Sequence, residues 1–191
     1  MSNVSVAVQP STEKKHLWYG IGEEYERQFI EEICPKITLN AMINPKKEKE
    51  PWACDLLVNG APADLKRQTE PFYTASKYGF DAQYTVTLNQ KDIDRYAAAY
   101  DPRIFNIYFW VTWEDSEKFN QKINKLHAVG VASMLTVLNI AESNDAKWHY
   151  YQRRGEGDPN RNATNSLLID IRRLGLVYIN TYGRPLGVFC P

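Results

Sequence analysis

The chain has 191 residues, of which 43% are hydrophobic and 24% are charged, and its 23 lysines and arginines balance its 23 acidic residues. These values exclude a disordered chain, a collagen-like repeat and a coiled-coil rod, and the neutral balance gives no sign of a nucleic-acid partner. Three cysteines without a Cys-x-x-Cys pair argue against a disulfide framework and against a four-ligand zinc site.

The length and the polar start of the chain predict a single domain behind a flexible tail. Residues 1–15 contain no apolar stretch of signal-peptide length, so we assign them to the N-terminal tail and residues 16–191 to one domain. No stretch approaches the roughly 18 consecutive apolar residues of a membrane span. We therefore expect a cytoplasmic protein with no membrane partner.

The first predicted element is a helix over residues 19–34. Glu26, Phe29, Ile30 and Ile33 recur at helical spacing, and a proline directly after the segment ends the pattern. These four residues are therefore expected to share one face of the helix.

Three strands are predicted after this helix. Residues 36–44 alternate as a strand does, and residues 45–51 form a charged loop. Asn59-Gly60 is a strong two-residue turn signal because both residues tolerate positive φ, so residues 52–68 are expected to form a hairpin.

A strand, a helix and another strand complete the predicted α/β core. The strand covers residues 83–88, and Asn89 caps a helix over residues 90–100. Residues 103–113 form the most apolar strand, which indicates burial on both faces. The later predictions are a helix at 117–126, a buried helix or a strand pair at 129–142, a loop at 148–164, a short helix at 166–174 and a strand at 177–180.

The predicted hairpin brings two acidic residues and a lysine together. Counting back from the turn places Asp55 directly opposite Asp64, with Cβ atoms about 5 Å apart. Lys66 lies two residues beyond Asp64 and shares its face, whereas apolar residues cover the other face. Two carboxylates this close are unfavourable unless a cation or a proton lies between them. The arrangement suits Mg²⁺-assisted hydrolysis of a phosphodiester, although a charged hairpin that only faces solvent is the alternative.

Glu26 is the expected third carboxylate of this site. It shares a helix face with apolar residues, where a carboxylate is unfavourable unless it has a partner. Glu23 and Glu24, which lie on the same helix, are the alternatives, and a glutamate that only faces solvent is also compatible with the pattern.

The hairpin resembles the active-site region of the PD-(D/E)xK nuclease superfamily. The matching residues are Asp55 and the run Asp64-Leu65-Lys66. The segment from Gly22 to Phe29 is also similar to the Gly-xxx-Glu-Arg start of archaeal-type Holliday-junction resolvases. Two features depart from the superfamily pattern. Cys54 stands where a proline usually precedes the first aspartate, and Tyr73 lies one residue too far from Gln68 for the Gln-xxx-Tyr motif of the RecB-like branch, so the sub-family is open.

The resemblance implies both a fold and an activity. The fold is α/β, with a restriction-endonuclease-like mixed β-sheet core flanked by helices over residues 19–113 and a C-terminal extension over residues 114–191. The activity is that of a Mg²⁺-dependent endodeoxyribonuclease, with Mn²⁺ as a substitute ion, that cuts DNA through a metal-activated water and acts as a homodimer. The implied catalytic residues are Glu26, Asp55, Asp64 and Lys66, and the implied metal ligands are Glu26, Asp55 and Asp64.

Positive charge gathers near the end of the chain and marks a candidate DNA-contacting segment. Residues 147–191 contain seven lysines and arginines against three acidic residues. Aromatic rings and cations are mixed there, which suits contacts to phosphates and stacking on bases, although a loop that packs its aromatics inward is equally compatible. The candidate DNA-binding residues are Gln68, Tyr150, Tyr151, Arg153 and Arg154. Gln68 is included because it continues the face of Lys66, but it could simply end a polar strand.

A second hypothesis assigns the chain no catalytic activity. It would then be a DNA-binding or protein-interaction module on a nuclease-like scaffold. The zero net charge and the 13% aromatic content would suit such a module.

Overall fold

The computed structural model describes residues 15–50, 52–150 and 165–180, apart from the side chains of residues 15–21 and 179. Its helices are α1 (Lys15–Gln28), α2 (Gln90–Ala99) and α3 (Met134–Glu142). Its strands are β1 (Ala41–Ile43), β2 (Leu56–Val58), β3 (Ala61–Gln68), β4 (Thr85–Asn89), β5 (Asn106–Trp113), β6 (Ser116–Lys118), β7 (Gln121–Ile123), β8 (Leu126–Ser133), β9 (Trp148–Tyr150), β10 (Asn165–Asp170) and β11 (Gly175–Asn180). A π-helical turn covers Phe29–Ile33, and 3₁₀ turns cover Cys34–Ile37, Pro45–Glu48, Tyr73–Tyr78 and Ile171–Arg173.

The largest unit of the described chain is a mixed six-stranded sheet in the order β1-β2-β3-β5-β8-β11. Neighbouring strands are antiparallel, except that β3 and β5 run parallel. A second, antiparallel sheet has the order β4-β10-β9, and β6 and β7 form a separate hairpin. The structure thus confirms an α/β protein with a mixed sheet.

Strand β5 separates two apolar cores because successive side chains of a strand point to opposite faces of the sheet. Ile107 and Phe109 join the core that contains residues of α2, α3, β4 and β10. Tyr108 and Trp110 join the core that contains Phe29 and residues of β2 and β3. The prediction of a strand buried on both faces is therefore confirmed.

The first helix differs from the prediction at both ends. It begins at Lys15, and from Phe29 it continues as a π turn and then as a 3₁₀ turn that ends at Ile37. The strand predicted over residues 36–44 is consequently reduced to Ala41–Ile43. Phe29 and the end of the π turn are buried, so the apolar face of the predicted helix still meets the core.

Two predicted helices are wrong. Residues 117–126 instead form most of the β6–β7 hairpin and the start of β8, and the hairpin turns at Phe119 and Asn120, whose φ values are 53° and 59°. Residues 166–174 form most of β10 and a 3₁₀ turn, and β10 pairs with β4 on one side and β9 on the other. In both cases pairing with a neighbouring strand overrides the local sequence pattern.

Other predictions are refined by the tertiary structure. Residues 129–142 comprise the end of β8 and then α3, which Ser133 caps by accepting a hydrogen bond from the backbone N–H of Thr136. The strand predicted at residues 83–88 is β4, but it belongs to the second sheet. The loop predicted at residues 148–164 begins with β9, and its remainder lies outside the described residues, as does most of the predicted tail. None of the described helices combines the length and the apolar character that crossing a membrane would require.

Candidate active site

The Asn59-Gly60 turn determines which residues face each other across the hairpin. The two residues have positive φ values of 50° and 81°, as a two-residue hairpin turn requires. The pairs observed between β2 and β3 match the predicted register: Leu56 faces Ala63, Leu57 faces Pro62 and Val58 faces Ala61. One step further, Asp55 directly precedes β2 and comes opposite Asp64, and Oδ2 of Asp55 accepts a hydrogen bond at 3.4 Å from the backbone N–H of Leu65, the residue after Asp64.

Asp64 is enclosed by the fold, with 1% of its surface exposed. Its Oδ1 accepts a hydrogen bond from the hydroxyl of Tyr96, and its Oδ2 lies 2.8 Å from Nζ of Lys66. Oδ2 is buried, and the ammonium of Lys66 balances its charge. A buried carboxylate oxygen needs such a cationic partner.

Helix α2 supplies three site residues that the sequence reasoning did not identify. Asp92, Arg95 and Tyr96 are spaced i, i+3 and i+4, so they share one face of the helix. Oδ2 of Asp92 lies 2.9 Å from Nζ of Lys66, and its Oδ1 accepts a hydrogen bond from Arg95 at 2.9 Å. The spacing is visible in the sequence, but nothing local to the helix indicates that this face meets β3.

Glu26 reaches the site from α1 through a lysine. Glu26 is 5% exposed, and its two carboxylate oxygens accept hydrogen bonds from Nζ of Lys47 at 2.6 and 2.7 Å. The same ammonium donates to Oδ1 of Asp55 at 3.0 Å. Glu23 and Glu24 are exposed. Of the three candidate glutamates, Glu26 is therefore the one that the helix directs toward Asp55.

The buried side chain of Asn44 holds Lys47 and Asp55 side by side. Its Nδ2 donates to the backbone carbonyl of Cys54 at 2.9 Å, and its backbone N–H donates to that of Asp55 at 2.9 Å. Its Oδ1 caps the 3₁₀ turn Pro45–Glu48, which carries Lys47. The sequence predicts only a charged loop for this segment, and no local signal marks Lys47 as a site residue.

Burial and the neighbouring charges shift the pKa values of the three carboxyls of the site in different directions. Burial raises the pKa of Asp64 to about 7, against the charge of Lys66 and with a contribution from Asp55. Burial also acts to raise the pKa of Asp55, but the hydrogen bond shared with Asp64 and the charges of Lys66 and Lys47 lower it overall. Burial and then the charge of Asp55 raise the pKa of Glu26 to about 7. The site therefore retains protons at a pH where ordinary carboxyls have lost them.

The acidic residues fit a divalent cation as a pair and not as a preformed cage. Within the described ranges, no three histidine, cysteine, aspartate or glutamate side chains are grouped so as to hold a metal ion. Asp55 and Asp64 nevertheless offer hard oxygen donors, each paired with a lysine on one oxygen only. Mg²⁺ commonly binds through one or two carboxylates and keeps several waters. The pair fits such an ion, whereas Glu26 is engaged by Lys47.

The predicted DNA-contacting residues lie only partly within the described chain. Nε2 of Gln68 donates to Oγ1 of Thr87 at 2.8 Å, which links the main sheet to β4. Tyr150 ends β9 with 64% of its surface exposed, so it is accessible to a partner. Tyr151, Arg153 and Arg154 lie outside the described residues.

Comparisons with known proteins leave the family of the chain open. No family model matches the chain, and no curated protein matches its sequence. Among solved structures, the chain is similar to a nuclease from a fusselovirus, with 12% sequence identity, a TM-score of 0.38 and coverage of 89% of this chain and 90% of that one. A likeness of this size does not show a family.

Proposed function

We propose that the chain is a Mg²⁺-dependent endodeoxyribonuclease in which Asp55, Asp64 and Lys66 form the catalytic centre. The observation that carries this proposal is the approach of the Asp55 and Asp64 carboxyls across the hairpin, with Nζ of Lys66 2.8 Å from Asp64. The buried carboxyl of Asp64 beside the half-buried carboxyl of Asp55 is costly for folding, and a bound cation offsets that cost. Such a pair beside a lysine suits phosphodiester hydrolysis better than it suits a purely structural role.

The order of the elements supports a restriction-endonuclease-like core. Helix α1 is followed by β1, β2 and β3, and then, after β4 of the second sheet, by α2 and β5. Apart from β4, this is the helix, three strands, helix, strand order that the resemblance implies. The parallel pairing of β3 with β5 brings α2 over the face that carries Asp64 and Lys66.

Asp55 and Asp64 would hold Mg²⁺, or Mn²⁺ in its place, and the resemblance assigns Glu26 as a further ligand. A bound ion would lower the pKa of the attacking water and neutralise charge on the phosphate. The hydroxyl of Tyr96 holds Oδ1 of Asp64, so an ion would meet Oδ2 and share it with the ammonium of Lys66.

Lys66 would act on the substrate as an ammonium. Burial opposes its charge, but the neighbouring carboxylate of Asp64 above all raises the pKa of Lys66 well above its ordinary value. Asp64 and Asp92 hold Nζ at 2.8 and 2.9 Å. A positioned ammonium stabilises the negative charge that develops on the phosphate oxygens during hydrolysis.

Binding of the duplex is assigned to the C-terminal part of the chain, with Tyr150, Tyr151, Arg153 and Arg154 as contacts and Gln68 nearer the catalytic strand. Small nucleases of the superfamily that the hairpin resembles often cut both strands as homodimers, so a homodimer is the proposed assembly. Cutting both strands of a duplex would then need one copy of the site for each strand.

A plasmid-nicking assay tests the catalytic proposal. The protein should nick supercoiled DNA with Mg²⁺ or Mn²⁺ but not with EDTA, and Asp55→Asn, Asp64→Asn and Lys66→Ala should each abolish nicking while the protein stays folded. Asp101→Asn is the matched control, because Asp101 is a carboxylate paired with Arg103 outside the site, and it should cut as the parent does. A folded parent that binds DNA but never cuts it would favour the non-catalytic alternative.

A further inference from the structure

Lys47 is the site residue whose contacts the nuclease proposal does not explain. Its ammonium lies 2.6 and 2.7 Å from the two oxygens of Glu26 and 3.0 Å from Oδ1 of Asp55. These are the short distances of charge-assisted hydrogen bonds. Three carboxylate oxygens around one ammonium form the kind of environment that the resemblance would assign to a metal ion.

This arrangement is built into the fold. The Lys47 side chain is 21% exposed and that of Glu26 is 7% exposed, so both charges have lost most of their water. Removing one partner from such a pair leaves an uncompensated charge, which makes the pair interdependent. The 3₁₀ turn that carries Lys47 is itself capped by the buried Asn44. The backbone of Lys47 is therefore fixed, and its side chain starts from a position that lies toward Glu26.

The charges of the site fall into two lysine-bridged pairs. Lys47 bridges Glu26 and Asp55, and Lys66 bridges Asp64 and its α2 partner, Asp92. Each bridge has one inner carboxyl, which is Asp55 in the first bridge and Asp64 in the second. These two inner carboxyls face each other across the hairpin. An ion between the two bridges would meet those two inner carboxyls, while the outer carboxyl on each side stays bound to its lysine.

We infer that Lys47 is a built-in counter-ion that occupies the cation position between Glu26 and Asp55, so that Glu26 holds Lys47 and is not a metal ligand. The site then takes one divalent ion, on Asp55 and Asp64, in competition with the ammonium for Asp55. This inference rests on the proposed function for the presence of the ion, and it departs from the role that the resemblance assigns to Glu26.

Mn²⁺ binding to the full chain, counted by the loss of the free Mn²⁺ signal in electron paramagnetic resonance, separates the two roles of Glu26. Lys47→Met removes the competing ammonium and should tighten Mn²⁺ binding by about tenfold or more. The double variant Glu26→Gln with Lys47→Met removes one charge of each sign, so the net charge of the site is unchanged. It should bind one Mn²⁺ per chain at least as tightly as the parent.

Two control variants give the expected limits of Mn²⁺ affinity. Lys46→Met changes an exposed lysine of the same turn and should leave the affinity unaltered. Asp64→Asn should weaken binding strongly. Circular dichroism melts in EDTA check folding, and the double variant covers the case in which Lys47→Met alone leaves Glu26 too unbalanced to fold.

The outcomes distinguish this inference from the nuclease proposal. A double variant that loses Mn²⁺ as Asp64→Asn does would make Glu26 a ligand and overturn the inference, as would a folded Lys47→Met variant with parental affinity. Mn²⁺ binding to Lys47→Met but not to the parent would support a lysine that blocks the ion. Absence of binding to the parent and to both Lys47 variants, all of them folded, would overturn this inference together with the metal-dependent nuclease.

Discussion

The hydroxyl of Tyr96 donates a hydrogen bond to Oδ1 of Asp64, and both residues are 1% exposed although they lie 32 positions apart in the chain. The same hydroxyl accepts a hydrogen bond from Arg95 at 2.6 Å and lies 3.5 Å from Nζ of Lys66. Tyr96 thus connects helix α2 to the strand that carries the proposed catalytic residues, and it determines which oxygen of Asp64 remains for a cation.

Tyr96→Phe should lower both stability and activity, because it leaves Oδ1 of the buried Asp64 without its donor. We expect a loss of about 1–3 kcal/mol in the free energy of unfolding, measured by urea denaturation. We also expect a fall in kcat with little change in KM, since the hydroxyl orients Asp64 and does not touch DNA. Tyr73→Phe is the control, as its hydroxyl bonds Ser116 outside the site. Equal losses of stability and of kcat in both variants would show that the Tyr96 hydroxyl has no special role in orienting Asp64.

Asp64→Asn should stabilise the protein in EDTA at pH 8, where the pKa of about 7 leaves the Asp64 carboxyl mostly ionised beside Asp55. The amide removes the repulsion between the two carboxylates and can still accept the hydrogen bond of Tyr96. The expected result is a higher Tm than that of the parent, together with loss of cleavage in Mg²⁺. A lower Tm in EDTA would show that the ion pair with Lys66 outweighs the repulsion.

His127 should make stability depend on pH. Its Nε2 accepts a hydrogen bond from Nε1 of Trp110 at 2.7 Å, so the ring is neutral. Burial first, and then the charges of Lys36 and Arg67, hold the pKa of His127 below its ordinary value, against a smaller opposing effect of Glu32. The unfolded chain therefore takes up this proton more readily than the folded protein, and stability present above pH 6.5 is lost as the pH falls.

The variant His127→Gln isolates this effect, because a glutamine oxygen can accept the same hydrogen bond without titrating. Unfolding free energies measured in urea at pH 5 and pH 7.5 should differ less in the variant than in the parent. His149, whose pKa is also lowered, is present in both proteins and cancels from the comparison. Identical pH dependence in the two proteins would rule out His127 as the source.

Gly130 should be intolerant of a side chain because the 3₁₀ turn Ile171–Arg173 packs against it. A Cβ at this position would lie 2.7 Å from Cγ1 of Ile171, which is itself buried. Gly130→Ala should therefore cost about 1–3 kcal/mol of unfolding free energy. Gly22→Ala is the matched control: its Cβ meets nothing within 4 Å, and alanine in a helix should stabilise by about 0.5–1 kcal/mol. Urea midpoints of the two variants should move in opposite directions.

Arg153 and Arg154 remain a prediction from the charge pattern of the sequence. If both contact phosphates, replacing both with alanine should flatten the log–log salt dependence of DNA binding by about 0.9 for each lost contact. Arg103→Ala is the control, since Arg103 is exposed and already paired with Asp101. A folded double variant with the parental salt dependence would exclude this segment from the DNA interface, and sedimentation would show whether assembly had changed instead.

The sequence by itself determined the parts of the site that depend on counting along one segment. The Asn59-Gly60 turn allows only one register, so the pairing of β2 with β3 and the approach of Asp55 to Asp64 follow from the order of the residues alone. The cap of α2 at Asn89 and the double burial of β5 are equally local, because they follow from a side-chain hydrogen bond and from apolar content.

Only the tertiary structure decided which distant segments complete the site and which elements the ambiguous segments form. Lys47 meets Glu26 across 21 positions, and Tyr96 meets Asp64 across 32, through folding that no local pattern encodes. Residues 166–174 likewise become a strand because β4 and β9 offer hydrogen-bond partners on both sides. Contacts between side chains far apart in the chain depend on the packing of whole elements, and that packing is a property of the complete fold.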